Sequence, residues 1–205
     1  MALAINTTGS NNVAFGQGAL SANTTASDNV AIGREALTNN NGSANVGIGW
    51  RAMNTNTSGI NNIGIGFQSF TANTTGSNNT GIGYRTLATN TTGSSNVGIG
   101  YFSLNSNNSA TSTVAIGYQA AAGTAAYNNQ GGVYLGYQSG YSAATNSDYN
   151  TLVGYQSGYG ITTGSNNIWI GTATSSTAIA NLTTGSQNIL IGNNISLPSA
   201  TASGQ

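Results

Sequence analysis

Asn78-Asn79-Thr80-Gly81-Ile82-Gly83-Tyr84 is one copy of a phrase that runs the length of the chain, echoed 17 residues on by Ser95-Asn96-Val97-Gly98-Ile99-Gly100-Tyr101. The closing glycine of the phrase falls at Gly16, Gly33, Gly49, Gly66, Gly83, Gly100, Gly117, Gly136, Gly154, Gly171 and Gly192. Successive glycines are 17, 16, 17, 17, 17, 17, 19, 18, 17 and 21 residues apart. So short a period has no room for a helical hairpin or a propeller blade, whose repeats take roughly thirty residues or more. It fits one coil of a solenoid, in which each unit packs only on its neighbours. The expectation is an all-β protein, a parallel β-solenoid (β-roll or β-helix) of about eleven coils of ~17 residues.

Counting from each closing glycine as zero, position −3 holds Val13, Val30, Val46, Ile63, Thr80, Val97, Val114, Val133, Thr151, Ile168 and Ile189. Position −1 holds Phe15, Ile32, Ile48, Ile65, Ile82, Ile99, Ile116, Leu135, Val153, Ile170 and Ile191. β-Branched residues one apart are the mark of a strand with one buried face, so these two rows are expected to point inward. The residue between them is small through Ala115 and then becomes Tyr134, Leu152, Trp169 and Leu190, which reads as a close outer contact that opens near residue 130. Position −4 is asparagine in nine of eleven copies, failing at Thr113 and Gly132. Asparagine tolerates left-handed backbone at a corner, and stacked copies can link their amides into a ladder. The glycine at zero marks a bend or a close backbone approach. A second apolar row at +4 holds Leu20, Leu37, Met53, Phe70, Leu87 and Leu104, then thins to Ala121, Gly140 and Gly158, where Tyr141 and Tyr159 are placed to fill the gap. A polar turn such as Asn73-Thr74-Thr75-Gly76-Ser77 completes the coil. The array spans residues 1–192, a first part to 123 and a divergent part over 124–192, with 193–205 as a tail or a linker to a domain that is missing.

Composition excludes most chemistry. The 205 residues include three acids, three arginines, no histidine and no cysteine, with a net charge of zero. Neutrality gives no electrostatic footprint for nucleic acid, and no apolar run approaches the ~20 residues of a membrane span. Acid–base, nucleophilic and metal sites need His, Cys or clustered carboxylates. Asp28 and Glu35 are the only pair near one another in sequence, and a turn aspartate with a solvated Arg34-Glu35 pair accounts for them. Gly-x-Gly pieces such as Gly64-Ile65-Gly66 recur in four successive coils with no helix after them, so they are not phosphate loops. The expectation is a protein without catalytic, cofactor or metal-binding residues, not an enzyme. Asn-x-Ser/Thr triplets at Asn23, Asn56, Asn73 and Asn90 follow from turn composition rather than from glycosylation.

Two stretches, Asn29-Val30-Ala31-Ile32-Gly33 and Thr113-Val114-Ala115-Ile116-Gly117, resemble the head repeats of trimeric autotransporter adhesins, whose shorter unit centres on Ser-Val-Ala-Ile-Gly. The 17-residue form is more similar still to repeats in bacteriophage tail fibres. The closing segment, Thr183 to Asn193 and on to Gln205, resembles the stretch that precedes an endosialidase-type chaperone domain in such fibres, the chaperone itself being missing, as in a released shaft. The resemblance covers nearly the whole chain and carries over no catalytic residue. It implies a parallel β-roll or β-helix in a homotrimer, the chains interwound or side by side. The implied function is structural and adhesive: the shaft or receptor-binding part of a tail fibre on the virion, with the head of an adhesin on a bacterial surface as the alternative.

The +1 column is the candidate interaction strip. Trp50, Phe67, Tyr84, Tyr101, Tyr118, Tyr137 and Tyr155 place a ring at one point of seven successive coils. One reading packs these rings over the small −2 residues of a neighbouring chain, the row through which the trimer is expected to close. The other exposes them to host glycans or a protein receptor, aided by Gln68, Gln119, Gln138 and Gln156 at +2. A third functional class, ice binding, requires alternate threonines along a strand. Here they are adjacent pairs, such as Thr74-Thr75 and Thr91-Thr92, which belong on a turn.

Overall fold

The structure, a computed structural model, describes residues 1–173, 183–195, 201, 203 and 204. Pro198 and the rest of 196–200 lie outside the described residues. Each phrase forms a strand of three residues that ends one position before the repeat glycine. In order these are β1 (Val13–Phe15), β2 (Val30–Ile32), β3 (Val46–Ile48), β4 (Ile63–Ile65), β5 (Thr80–Ile82) and β6 (Val97–Ile99). They continue as β7 (Val114–Ile116), β8 (Val133–Leu135), β9 (Thr151–Val153), β10 (Ile168–Ile170) and β11 (Ile189–Ile191). All eleven join one parallel sheet in sequence order. The register keeps each repeat position on itself, Thr80 beside Val97 and Ile82 beside Ile99. Parallel neighbours one repeat apart mean that the chain winds once per repeat, a β-solenoid whose length is about 50 Å at ~4.8 Å per coil. Consecutive coils pair within the one chain. Near the end, Ser186 donates its amide to Ser203 Oγ and Gly204 to Ser186 O, the same pair of bonds that Ser165, Ser186 and Gln187 make one coil earlier.

A coil this tight turns through left-handed backbone. Besides the repeat glycine, three positions of the coil have positive φ, in one repeat Asn78 at 60°, Arg85 at 49° and Leu87 at 53°. The corner before the strand is therefore at −5, one residue ahead of the asparagine expected there. Left-handed L-residues cost on the order of 1 kcal/mol each and persist only where the surroundings hold them. Here the neighbouring coils do so. Asn78 donates its amide to Ile60 O, Arg85 to Phe67 O and Leu87 to Ser103 O, each at 3.0 Å. Gly83 sits at φ +136°, and a Cβ on it would lie 2.3 Å from Gly100 O. Bend and close approach coincide at that position.

The strand is turned the other way from the expectation. Ala31, Ala115, Tyr134, Leu152 and Trp169, all at −2, are fully buried, whereas the β-branched residues at −3 and −1 point away from the core. The interior is built from −2, +3 and +4. At +4, Leu37, Met53, Phe70, Leu87 and Leu104 are fully buried. Leu37, Met53 and Leu87 lie beneath the glycine of the next strand, so that a Cβ on Gly64 would meet Met53 Cγ at 2.5 Å. Past Ala115 the two positions exchange roles. Tyr134 and Leu152 fill the space, and added Cβ atoms on Gly140 and Gly158 would strike them at 2.4 Å. The growth of −2 thus compensates the loss of +4, with no outer contact involved; Tyr141 and Tyr159 instead stack on one another at 5.0 Å. One large apolar side chain per coil is the rule.

Burial has a consequence for pH. Desolvation pushes the Tyr134 phenol up to about 12 and holds that of Tyr127 well above its ordinary value. Tyr134 donates its hydroxyl to Ser147 O at 3.3 Å, and Tyr127 donates to Ala121 O. Because the folded value lies above the unfolded one of ~10, the stabilisation is complete below pH ~10 and is lost as pH rises through about 12. Tyr134→Phe is expected to shrink the loss of stability between about pH 8 and pH 12 by roughly 2 kcal/mol, at ~1.4 kcal/mol per unit. Denaturant melts at pH 8 and pH 12 measure it, and equal alkaline losses in both proteins would contradict the burial.

Polar columns close the coil. Asn79 donates its amide and Nδ2 to Asn62 Oδ1 at 3.0 and 3.1 Å, and its Nδ2 to Gly93 O at 2.9 Å. Asn96 repeats this on Asn79, and the expected −4 ladder is in place, interrupted around Thr113 and resumed from Asn150 to Asn188. A second ladder was not foreseen. Asn23, Asn40, Asn56, Asn73, Asn90 and Asn107, which start the polar turn, are fully buried, with Asn73 Nδ2 donating to Asn56 Oδ1 and to Gly76 O. Each such bond spares a buried group the ~1–3 kcal/mol of an unmade one, but the column is discontinuous: Oδ1 of Asn23, Asn73 and Asn90 and Nδ2 of Asn107 find no partner.

Candidate functional site

With −2 turned inward, the outer face of the sheet consists of −3 and −1. Two columns of Val, Ile and Leu, with Phe15, Thr80 and Thr151 as the exceptions, run unbroken over eleven coils without a charge. Several remain well exposed despite their neighbours above and below, Ile116 at 40% and Ile170 at 44%. The face measures ~50 Å by ~10 Å, on the order of 500 Å², beyond the few hundred Å² that a monomer ordinarily leaves open. The −2 side chains, expected to line this surface, are not on it.

Around the glycine bend lies the +1 column, where the structure brings all seven predicted rings into one stack. Phe67, Tyr84, Tyr101, Tyr118, Tyr137 and Tyr155 follow one another at centroid separations of 4.9, 5.1, 5.0, 5.2 and 5.0 Å, nearly parallel. Trp50 meets Phe67 edge-on at 77°. The coil spacing imposes these distances and offset stacking uses them. Since −2 is internal, the rings do not pack over −2 of another chain, and that pairing is withdrawn. The rings also cover each other's faces, so the strip offers edges and, from Tyr84 to Tyr155, a row of phenol hydroxyls. Beside it Gln156 donates to Gln138, and Gln138 to Gln119, each at 2.8 Å.

All three cations of the chain border this strip near one end. Glu35 Oε1 accepts a hydrogen bond from Arg34 Nε at 3.2 Å, and its Oε2 lies 3.3 Å from Arg51 Nε as an ion pair without a hydrogen bond. Arg34 lies 5.9 Å from the Trp50 ring centre, and Arg85 lies 5.4 Å from that of Phe102. As exposed pairs these add ~0–1 kcal/mol of stability. The sequence reading separated Arg34-Glu35 as a solvated pair and did not connect it with Arg51 and Arg85; spacings of 17 and 34 residues, one and two coils, were the available clue.

Other candidates fall away on geometry. Asn23, Asn56, Asn73 and Asn90 of the glycosylation triplets are buried, each donating Nδ2 to a carbonyl of its own turn. Thr74 and Thr91 turn their hydroxyls to the backbone carbonyls of Thr91 and Asn108, on the turn. Among the described residues no group of His, Cys, Asp or Glu is arranged to hold a metal. No helix among them is long and apolar enough to cross a membrane. Comparison with family models, with curated proteins and with solved structures finds no match.

Proposed function

We propose that the chain is a structural and adhesive fibre segment, a homotrimeric shaft or receptor-binding part of a phage tail fibre. The observation that carries the self-association is the outward sheet face, two charge-free β-branched columns eleven coils long. Identical chains side by side, coils in phase, set Val and Ile columns against their equivalents under closed rotational symmetry. The number three, and the virion as the place, come from the sequence resemblance. The seam is the −3/−1 face rather than the −2 row. The +1/+2 corner belongs at its rim, because Arg34, Arg51 and Arg85 would be costly in its centre.

The complete reading frame and its flanking genes test the owner. Neighbouring tail and baseplate genes are expected. A secretion signal and outer-membrane anchor in the same frame would replace the phage reading by the bacterial surface adhesin. Fluorescently labelled chain tests the adhesive part: it should decorate cells in a panel of bacteria, and assembled fibres that decorate none would leave only a shaft.

A further inference from the structure

From the arginine corner we infer a binding site for a linear anionic polysaccharide, one bearing carboxylates, laid along the +1/+2 edge from coil two to coil five. The inference rests on the adhesive reading above and gives it a ligand class. The whole chain has six charged residues, and four of them, Arg34, Glu35, Arg51 and Arg85, occupy two adjacent columns of this one edge. Their sum is two positive charges on a molecule that is otherwise almost uncharged. A face that needed charge only for solubility would spread it over the eleven coils.

The donors point to carboxylate. Glu35 accepts a hydrogen bond from Arg34 Nε and lies 3.3 Å from Arg51 Nε, which makes none. The carboxylate thus holds Arg34 by a bond and Arg51 by charge alone, and no terminal nitrogen of either is hydrogen-bonded to it. Arg85 has no acid partner; its Nε is without a hydrogen bond, and Phe102 supports its guanidinium from one side. Planar guanidinium forks held in this way suit bidentate contact with carboxylate. Arg51 and Arg85 stand on the same column two coils apart, ~10 Å, with Gln68 between them. An extended 1,4-linked polysaccharide has a residue repeat close to the ~4.8 Å coil spacing, so alternate sugars meet the two arginines and the sugar between meets the amide. Alongside, Trp50, Phe67 and Tyr84 turn edges rather than faces outward, with the Tyr84 hydroxyl at the end of the site. This disfavours stacking of sugars on ring faces and leaves the arginines and Gln68 as the main polar contacts.

The test is biosensor binding of the assembled protein to immobilised polygalacturonate, with dextran and a single-stranded oligonucleotide as the neutral and phosphate comparisons. Wild type should bind polygalacturonate, weaken as salt rises, and bind dextran and the oligonucleotide at least tenfold less well. Arg34→Gln/Arg51→Gln/Arg85→Gln should lose at least tenfold in affinity while its mass by light scattering stays that of the wild type. Thr92→Ala, exposed on the polar turn and outside the strip, should bind within about twofold of wild type. Unchanged binding by the triple variant, or equal binding of dextran or of the oligonucleotide, overturns the proposal. Wild type that decorates bacteria yet ignores polygalacturonate also overturns it and leaves the adhesive reading standing.

Discussion

Gly83→Ala is expected to destabilise the stack by more than about 4 kcal/mol, among the largest losses a methyl group can cause in this chain. At φ +136° the backbone is in territory that only glycine occupies freely, and the new Cβ would lie 2.3 Å from Gly100 O, 2.8 Å from Gly100 C and 2.9 Å from Thr86 Oγ1. Relief cannot come from a rotamer, since the nearest atoms belong to the next coil's backbone, which is itself hydrogen-bonded on. Gly49, Gly66 and Gly100 stand in the same relation to their neighbours, so a similar loss is expected at each. Thr92→Ala, exposed on the turn, is the control and should stay within about 0.5 kcal/mol. Thermal melts of the two variants give the answer; equal midpoints would mean that the coils are not in contact at the glycine.

The second large effect separates the face of the sheet from its core. Ile82→Asp/Ile99→Asp puts two carboxylates on the outward columns, where water reaches them in a single chain and a neighbouring chain would have to desolvate them. The expected result is a folded monomer: wild-type far-ultraviolet circular dichroism with the mass of one chain. Leu87→Asp changes a side chain that is fully buried at +4. An unpaired carboxylate there is expected to cost at least ~3 kcal/mol and to unravel the coils around it. If the double variant unfolded as completely as Leu87→Asp, −1 would belong to the core after all.

That contrast shows where the sequence was legible and where it was not. Strand positions, register and solenoid class followed from the spacing of Gly83 and its equivalents, because a parallel stack repeats every constraint at every coil. The face did not follow. Alternation of Val97, Gly98 and Ile99 says that neighbours point in opposite directions; it does not say which direction is inside. Burying the β-branched pair is the usual answer, and it fails because Leu87 and Leu104 already occupy the narrow interior, leaving room only for glycine at −2. The correct clue was the exchange of sizes, Gly140 and Gly158 at +4 against Tyr134 and Leu152 at −2, two columns that have to be compared with each other. Asn73 and its equivalents looked like turn residues because they begin a turn, yet their amides cap Gly76 and its equivalents from inside. The aromatic column was legible as a stack, but the mutual covering of ring faces required coordinates. The arginine corner was missed because residues one or two coils apart are distant in sequence and adjacent in space.

Light scattering on the purified chain at micromolar concentration, coupled to size exclusion, tests the central claim most directly. The outward apolar face predicts self-association and the sequence resemblance sets its number, so the expected result is a single species with three times the 20.5 kDa chain mass, unchanged on tenfold dilution. A stable species at the mass of one chain would contradict it.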